Sequence, residues 1–192
     1  MKRSLTLIWL NVILAVGTIV MNILANALPL NGQNTGEISD RFKVLFVPAG
    51  YVFSIWGLIY IGLIAYVVFQ ALPAQRSNPR LAGVDPLFVV ASVANVAWLF
   101  FWHYGLFLLT LVAMFTLLAS LIGIYLALGI GRGAVANGER WAARVPFSIY
   151  LGWVSVATIA NVTDVLDFVG WNGWGLEPAA WAALMLAVGV VL

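Results

Sequence analysis

The chain has no cysteine, which excludes disulfides, thiolate metal sites and cysteine nucleophiles. It is nearly as poor in charge: 8% of its 192 residues are Asp, Glu, Lys or Arg, against about a quarter in ordinary soluble domains. Nine basic and seven acidic residues leave a net charge of +2, and the basic ones form no run. No patch for nucleic acid results, and none is expected as a partner. Gly129, Gly131 and Gly133 follow no strand pattern and precede no GK[ST], so they build no phosphate loop. A catalytic cluster of acid, base, nucleophile and metal ligands is also missing from the pattern.

What the chain does have is apolar sequence, 64% of the total. A hydrocarbon core of about 30 Å takes roughly 20 apolar residues per helix. Five stretches meet this: 5–28, 48–72, 86–103, 106–130 and 145–166. The first is too long for the core of a signal peptide and lacks a cleavage site, so it counts as a span. A sixth apolar run begins near Pro178 and reaches Leu192, too short for a full crossing at 1.5 Å per residue; the expectation is that the helix continues beyond it. The fold class expected is all-α: a polytopic membrane protein with a five-helix domain over 1–168, then an interfacial loop and the start of an additional transmembrane helix over 169–192.

The connections are polar and uneven in charge. The longest, "PLNGQNTGEISDRFKVLFVP" (29–48), reads as a surface loop able to cover a pocket mouth. "PAQRSNPR" (73–80) reads as a short turn, His103-Tyr104-Gly105 as a tight hairpin, and "GIGRGAVANGER" (129–140) as a flexible basic loop. "DFVGWNGWGLEP" (167–178) has the composition of a membrane-interface segment. Lys2, Arg3, Arg76, Arg80, Arg132, Arg140 and Arg144 fall on one side of the membrane, Arg41 and Lys43 on the other. The positive-inside rule places the N-terminus in the cytoplasm and the long first loop outside, with a bacterial inner membrane as the expected location.

Each of four spans has a face that lipid would not select. At about 100° per residue, Asn95, Trp98 and Trp102 share a face within about 60°. So do Tyr150, Trp153, Ala157, Asn161 and Asp164 on the fifth span, and Phe53, Trp56 and Tyr60 on the second. Asn11, Thr18, Asn22 and Asn26 form a polar stripe on the first. Turned inward, these faces wall a cavity with indole and phenol rings and a few amides, suited to a large, flat, mostly apolar ligand. The competing reading is structural: tryptophans at span ends anchor in the interface, as expected of Trp9, Trp141, Trp171 and Trp174, and buried asparagines serve as interhelical glue.

Three segments carry a resemblance. "VPAGYVFSIWGLIY" (47–60), with Pro48, Trp56 and Tyr60, "NVAWLFF" (95–101) and "PFSIYLGWVSVATIAN" (146–161), with Pro146, Trp153, Ala157, Thr158 and Asn161, resemble signatures of the TspO/MBR family, the tryptophan-rich sensory or translocator proteins. The order matches too, over roughly residues 5–166; the sixth run is extra. The resemblance implies a five-helix bundle, commonly dimeric, that binds porphyrins and other flat hydrophobic ligands under its first loop. It places Trp56, Trp98 and Trp153 on the family's pocket tryptophans and Ala157 and Asn161 on its fifth-helix lining. Gly50 and Ser54 stand where the family often has Trp and Pro. "VTDVLD" lacks the Tyr and Arg associated with cholesterol in vertebrate members, so cholesterol binding is not implied.

The expected ligand-binding residues are therefore Phe53, Trp56, Tyr60, Asn95, Trp98, Trp102, Tyr150, Trp153, Ala157 and Asn161. No catalytic residue, metal site or tightly bound cofactor is expected; a porphyrin or other tetrapyrrole is the expected ligand. Expected partners are membrane lipid, that small molecule, and a second copy or a larger membrane complex. Three functions compete: a sensory, regulatory or transport role through ligand binding; a non-catalytic accessory subunit of a photosynthetic or respiratory complex; and light-dependent porphyrin breakdown. His103, at a helix end, reads as an interfacial hydrogen-bonder before an axial haem ligand. Asp164 and Asp167 read as solvated or capping charges at the end of a span. Ala119, Gly123, Ala127 and Gly131 form a small-residue stripe that allows close contact within the bundle or with a partner.

Overall fold

The structure is a computed structural model that describes residues 2–28, 30–46 and 50–191, the side chains at 50, 53 and 191 excepted. Pro48 and the Phe53 side chain, both singled out by the sequence, lie outside the described residues. Among those residues the fold is all-helical. The long helices are α1 (Leu5–Ala27), α3 (Ile55–Ala71), α4 (Pro79–His103), α5 (Phe107–Ala127) and α7 (Val145–Phe168). Shorter ones are α2 (Thr35–Ser39), α6 (Asn137–Glu139), which a π-helical turn over Arg140–Arg144 joins to α7, and α8 (Pro178–Val191). α1, α4, α5 and the continuous stretch Asn137–Phe168 are each long and apolar enough to cross a membrane. α3 has 17 residues and is preceded by a 3-10 turn over Gly50–Ser54.

The five long helices close a ring. α3 packs on α1, α1 on α4, α4 on α5, α5 on α7, and α7 back on α3. Two glycines set how tightly it closes. A Cβ on Gly62 of α3 would stand 2.8 Å from Pro146 Cβ of α7, and one on Gly123 of α5 would stand 2.9 Å from Leu87 of α4. The small-residue stripe on α5 thus serves contact inside the bundle, with Ala127 against Gly83 as its next step. Gly131 lies past the end of the helix, in a turn with φ of 80°.

The third span differs from expectation in its start. Sequence hydropathy begins it at Pro86; α4 begins at Pro79 and carries Pro86 inside it. The cause is a cap: the Asn78 side chain accepts hydrogen bonds from Arg80 N and Leu81 N, and Pro79 takes the first helical position, where a missing N–H costs nothing. The hairpin after it is as expected. Gly105 turns the chain with φ of 71°, and its N–H donates to Trp102 O.

Along its axis the ring has three layers. At the end holding the α1 N-terminus, the Arg3 guanidinium grips Asp85 of α4 through Nε (2.8 Å) and an Nη (2.5 Å). It also donates to the backbone and side-chain oxygens of Gln70, while Asn11 donates to Asp85 at 3.0 Å. Arg3, placed by the sequence among the loop charges on one side of the membrane, is buried and paired with an equally buried Asp85. Glu139 of the 129–140 loop likewise pairs with Arg80 at 2.6 Å, so that loop is fastened rather than free. The middle layer is apolar, with Tyr66, Phe88 and Phe147 meeting edge-on or tilted at centroid distances of 4.8–6.0 Å. The third layer, toward the first loop, is hollow.

α8 lies against α7. Trp171, Trp174 and Trp181 form a cluster of edge-on indoles between the last connection and α8, with centroids 4.8–5.9 Å apart.

Candidate functional site

The hollow layer is a cavity of about 750 Å³, within the usual range for small-molecule sites. Trp56 and Tyr60 of α3 line it, with Asn95, Trp98 and Trp102 of α4 and Trp153, Ala157 and Asn161 of α7. Eight of the ten residues expected from sequence thus converge on one space. Tyr150 stands behind the wall: it is buried, and its hydroxyl accepts a hydrogen bond from Asn95 Nδ2 at 2.9 Å. The tenth, Phe53, is the one whose side chain is not described.

The rings are arranged as surfaces. Trp98 and Trp102, one turn apart, stack at 5.4 Å and 17°. Trp56 stacks on Tyr60 at 5.7 Å and meets Trp153 edge-on at 6.1 Å. Such packing offers flat faces of limited mobility to a flat ligand.

The amides do something other than await a ligand. Asn22 Nδ2 donates to Asn95 Oδ1 at 2.8 Å, and Asn95 donates on to Tyr150, linking α1, α4 and α7. Trp98 Nε1 donates to Asn161 Oδ1 at 3.3 Å, and Asn161 Nδ2 donates to Thr110 Oγ1 at 2.9 Å, linking α4, α7 and α5. Asn95 and Asn161 are therefore fasteners between helices as well as wall residues, because a buried amide in an apolar layer is costly unless paired.

The first loop supplies the roof, as its length and polarity suggested. Asn34, Thr35, Gly36, Ser39 and Asp40 line the cavity. α2 holds its shape through a capping box: Glu37 N donates to Asn34 Oδ1 at 2.9 Å, and Asn34 N donates to Glu37 Oε2 at 2.8 Å. Ile38 is 1% exposed and packs with Trp102, Phe107 and Val165. Phe42 adds ring contacts to Trp102 and Phe107. Trp102 Nε1 donates to Thr35 O at 3.2 Å, and Asn31 Nδ2 donates to His103 O at 3.0 Å. Trp102 is thus a wall residue that also pins the roof.

Residues not among the ten add to the lining, among them Asn22 and Asn26 of α1, Met114 and Leu117 of α5, the roof residues, and Asp164. The Asn stripe on α1 and the Asn34…Glu37 capping-box spacing were signals for two of these groups. Asp164 corrects an expectation. It is 4% exposed and faces the cavity, whereas its neighbour Asp167 is exposed and accepts from Lys43 N at 3.4 Å. The two do not work as a solvated pair, because α7 runs on to Phe168 and buries Asp164 one turn inside its end. His103 is buried rather than interfacial, with Nδ1 2.8 Å from Leu99 O, and lies outside the cavity wall.

A family model described as TSPO-like protein matches residues 8–192. The chain belongs to the TSPO-like family. The match runs through α8 as well as the five-helix ring. With its apolar helices, membership makes this TSPO-like protein an integral membrane protein. No curated protein and no solved structure matches the chain. Within this TSPO-like protein, the aromatic faces of α3, α4 and α7 occupy a single roofed space, and the amides between them bind helix to helix.

Proposed function

We propose that the protein binds a flat, mostly apolar ring system, a tetrapyrrole above all, beneath its first loop, and that it senses, carries or regulates that molecule. One observation carries the reading: four indoles, Trp56, Trp98, Trp102 and Trp153, line one cavity closed by α2. The volume suits such a ligand, and stacked rings reward flatness. Membership of the TSPO-like family supports it. The same reading sets the chain in a bacterial inner membrane with its N-terminus in the cytoplasm, alone or as a homodimer.

The test is quenching of tryptophan fluorescence by titrated protoporphyrin IX in neutral detergent. Trp98→Ala should weaken binding roughly three- to tenfold, from one lost stacking contact of about 0.5–1.5 kcal/mol beyond area. Trp9→Ala should change nothing, since Trp9 is 61% exposed on α1 and away from the cavity. Identical affinities in the parent and both variants would refute the pocket reading and leave an accessory-subunit role, which co-purification with a larger complex would support. Light-driven bleaching of the bound Soret band would instead make the protein a porphyrin-degrading enzyme.

A further inference from the structure

The cavity wall contains one group that a purely apolar ring cannot satisfy. Asp164 is nine-tenths buried and more, it faces the cavity, and its Oδ1 has no hydrogen-bond partner. The amides deep in the wall are engaged: Asn22 with Asn95, Asn95 with Tyr150, Asn161 with Trp98 and Thr110. A carboxylate in such a setting is costly to leave bare.

Among the described residues no cation answers it. The lining includes no Lys, Arg or His among the described residues, and its other carboxylic acid is Asp40 at the end of α2. The ion pairs among the described residues lie elsewhere, between Arg3 and Asp85 and between Arg80 and Glu139. The other charged groups at this end of the bundle include Asp167 on the same helix and Glu37, Arg41 and Lys43 in the roof segment. All four are exposed, and Lys43 meets Asp167 through its backbone N–H. The same cavity is lined by Trp98, which bonds Asn161 one turn before Asp164 on α7, and by Trp102 stacked on it. Indole faces attract cations as a carboxylate does.

We propose that the ligand of this cavity is a cationic amphiphile: a flat apolar body carrying a protonated nitrogen that seats against Asp164. This rests on the ligand-pocket reading above and narrows it. A tetrapyrrole with acidic side groups must hold them away from the Asp164 end, so an amine-bearing ring system fits better than an acid-bearing one.

Three probes with one ring system decide the matter: 1-pyrenemethylamine, 1-pyrenemethanol and pyrene-1-carboxylate. Each is titrated at pH 7 in the same neutral detergent, following energy transfer from tryptophan to pyrene. The parent protein should bind the ammonium about tenfold or more tighter than the carboxylate, the scale of one charge-assisted hydrogen bond, with the alcohol between. Asp164→Asn should bring the three within about threefold of one another. Partition into micelles cancels between parent and variant. Asp164→Glu, which keeps the charge, should retain the order, and helical dichroism checks folding of both. Equal or tighter binding of the carboxylate by the parent, or survival of the preference in Asp164→Asn, overturns the cation assignment while leaving the pocket intact. Failure of all three to bind a parent that protoporphyrin IX still quenches overturns this inference alone; failure of the porphyrin as well overturns the pocket reading with it.

Discussion

Replacing Arg3 with methionine removes two charge-assisted bonds to Asp85 and leaves that carboxylate 1% exposed, held only by Asn11 at 3.0 Å. Breaking a buried pair from one side costs about 3–5 kcal/mol, because the remaining charge has no water to return to. The reverse change is milder. In Asp85→Leu, Arg3 keeps the oxygens of Gln70 at 2.6 and 2.8 Å. Arg3 also lies ahead of α1 on a long side chain that can swing toward water, which a mid-helix aspartate cannot do. About 1–3 kcal/mol is expected there. The double variant Arg3→Met/Asp85→Leu should lie closer to the parent than Arg3→Met alone, since an apolar replacement of a whole buried pair is often neutral. Reversible unfolding in mixed SDS and dodecyl maltoside micelles reads all four corners of the cycle. Additive effects within about 0.5 kcal/mol would show that the two side chains do not interact, and the closed end of the bundle would need another explanation.

Gly62→Ala should destabilise by about 1–3 kcal/mol in the same assay, because its Cβ would sit 2.8 Å from Pro146 in a helix crossing with little room to shift. Gly17→Ala, whose Cβ meets nothing, should not destabilise, and equal losses at both would refute the crossing argument. For topology, a cysteine introduced at Asn34 should react with a membrane-impermeant reagent in intact cells and a tag after Met1 should not be reached from outside. Labelling of position 34 only after lysis would reverse the orientation.

Much of the site was legible because membrane helices expose their inward faces by composition. Asn95, Trp98 and Trp102 recur with helical spacing in sequence where lipid asks for none of them, and the same holds for Trp153, Ala157 and Asn161. What that spacing cannot show is whom each amide bonds. Asn95 was read as a ligand contact and is also a joint between three helices. Arg3 and Asp85 stand 82 residues apart, and nothing local in either segment announces the pair. The start of α4 lies seven residues before the apolar run begins, because hydropathy marks the run and Asn78-Pro79 carries the helix start signal. Asp164 was misjudged because a charge near the end of an apolar run is ordinarily wet. Its burial depends on α7 continuing to Phe168 and on the roof, both features of the tertiary fold.

The roof also has a consequence in time. On the proposed reading, a ligand that enters past α2 displaces Ile38 from its seat among Trp102, Phe107 and Val165 and parts the bond from Trp102 to Thr35. Exposing one such aliphatic side chain costs about 1.5–3 kcal/mol and the bond about 0.5–1.5 more. Together these keep the open form to about one molecule in thirty at most, and about one in two thousand at the upper end. On that reading, entry and exit past α2 are both slowed by this factor, and residence lengthens. On that reading the five residues of α2 act as a timer as well as part of the wall.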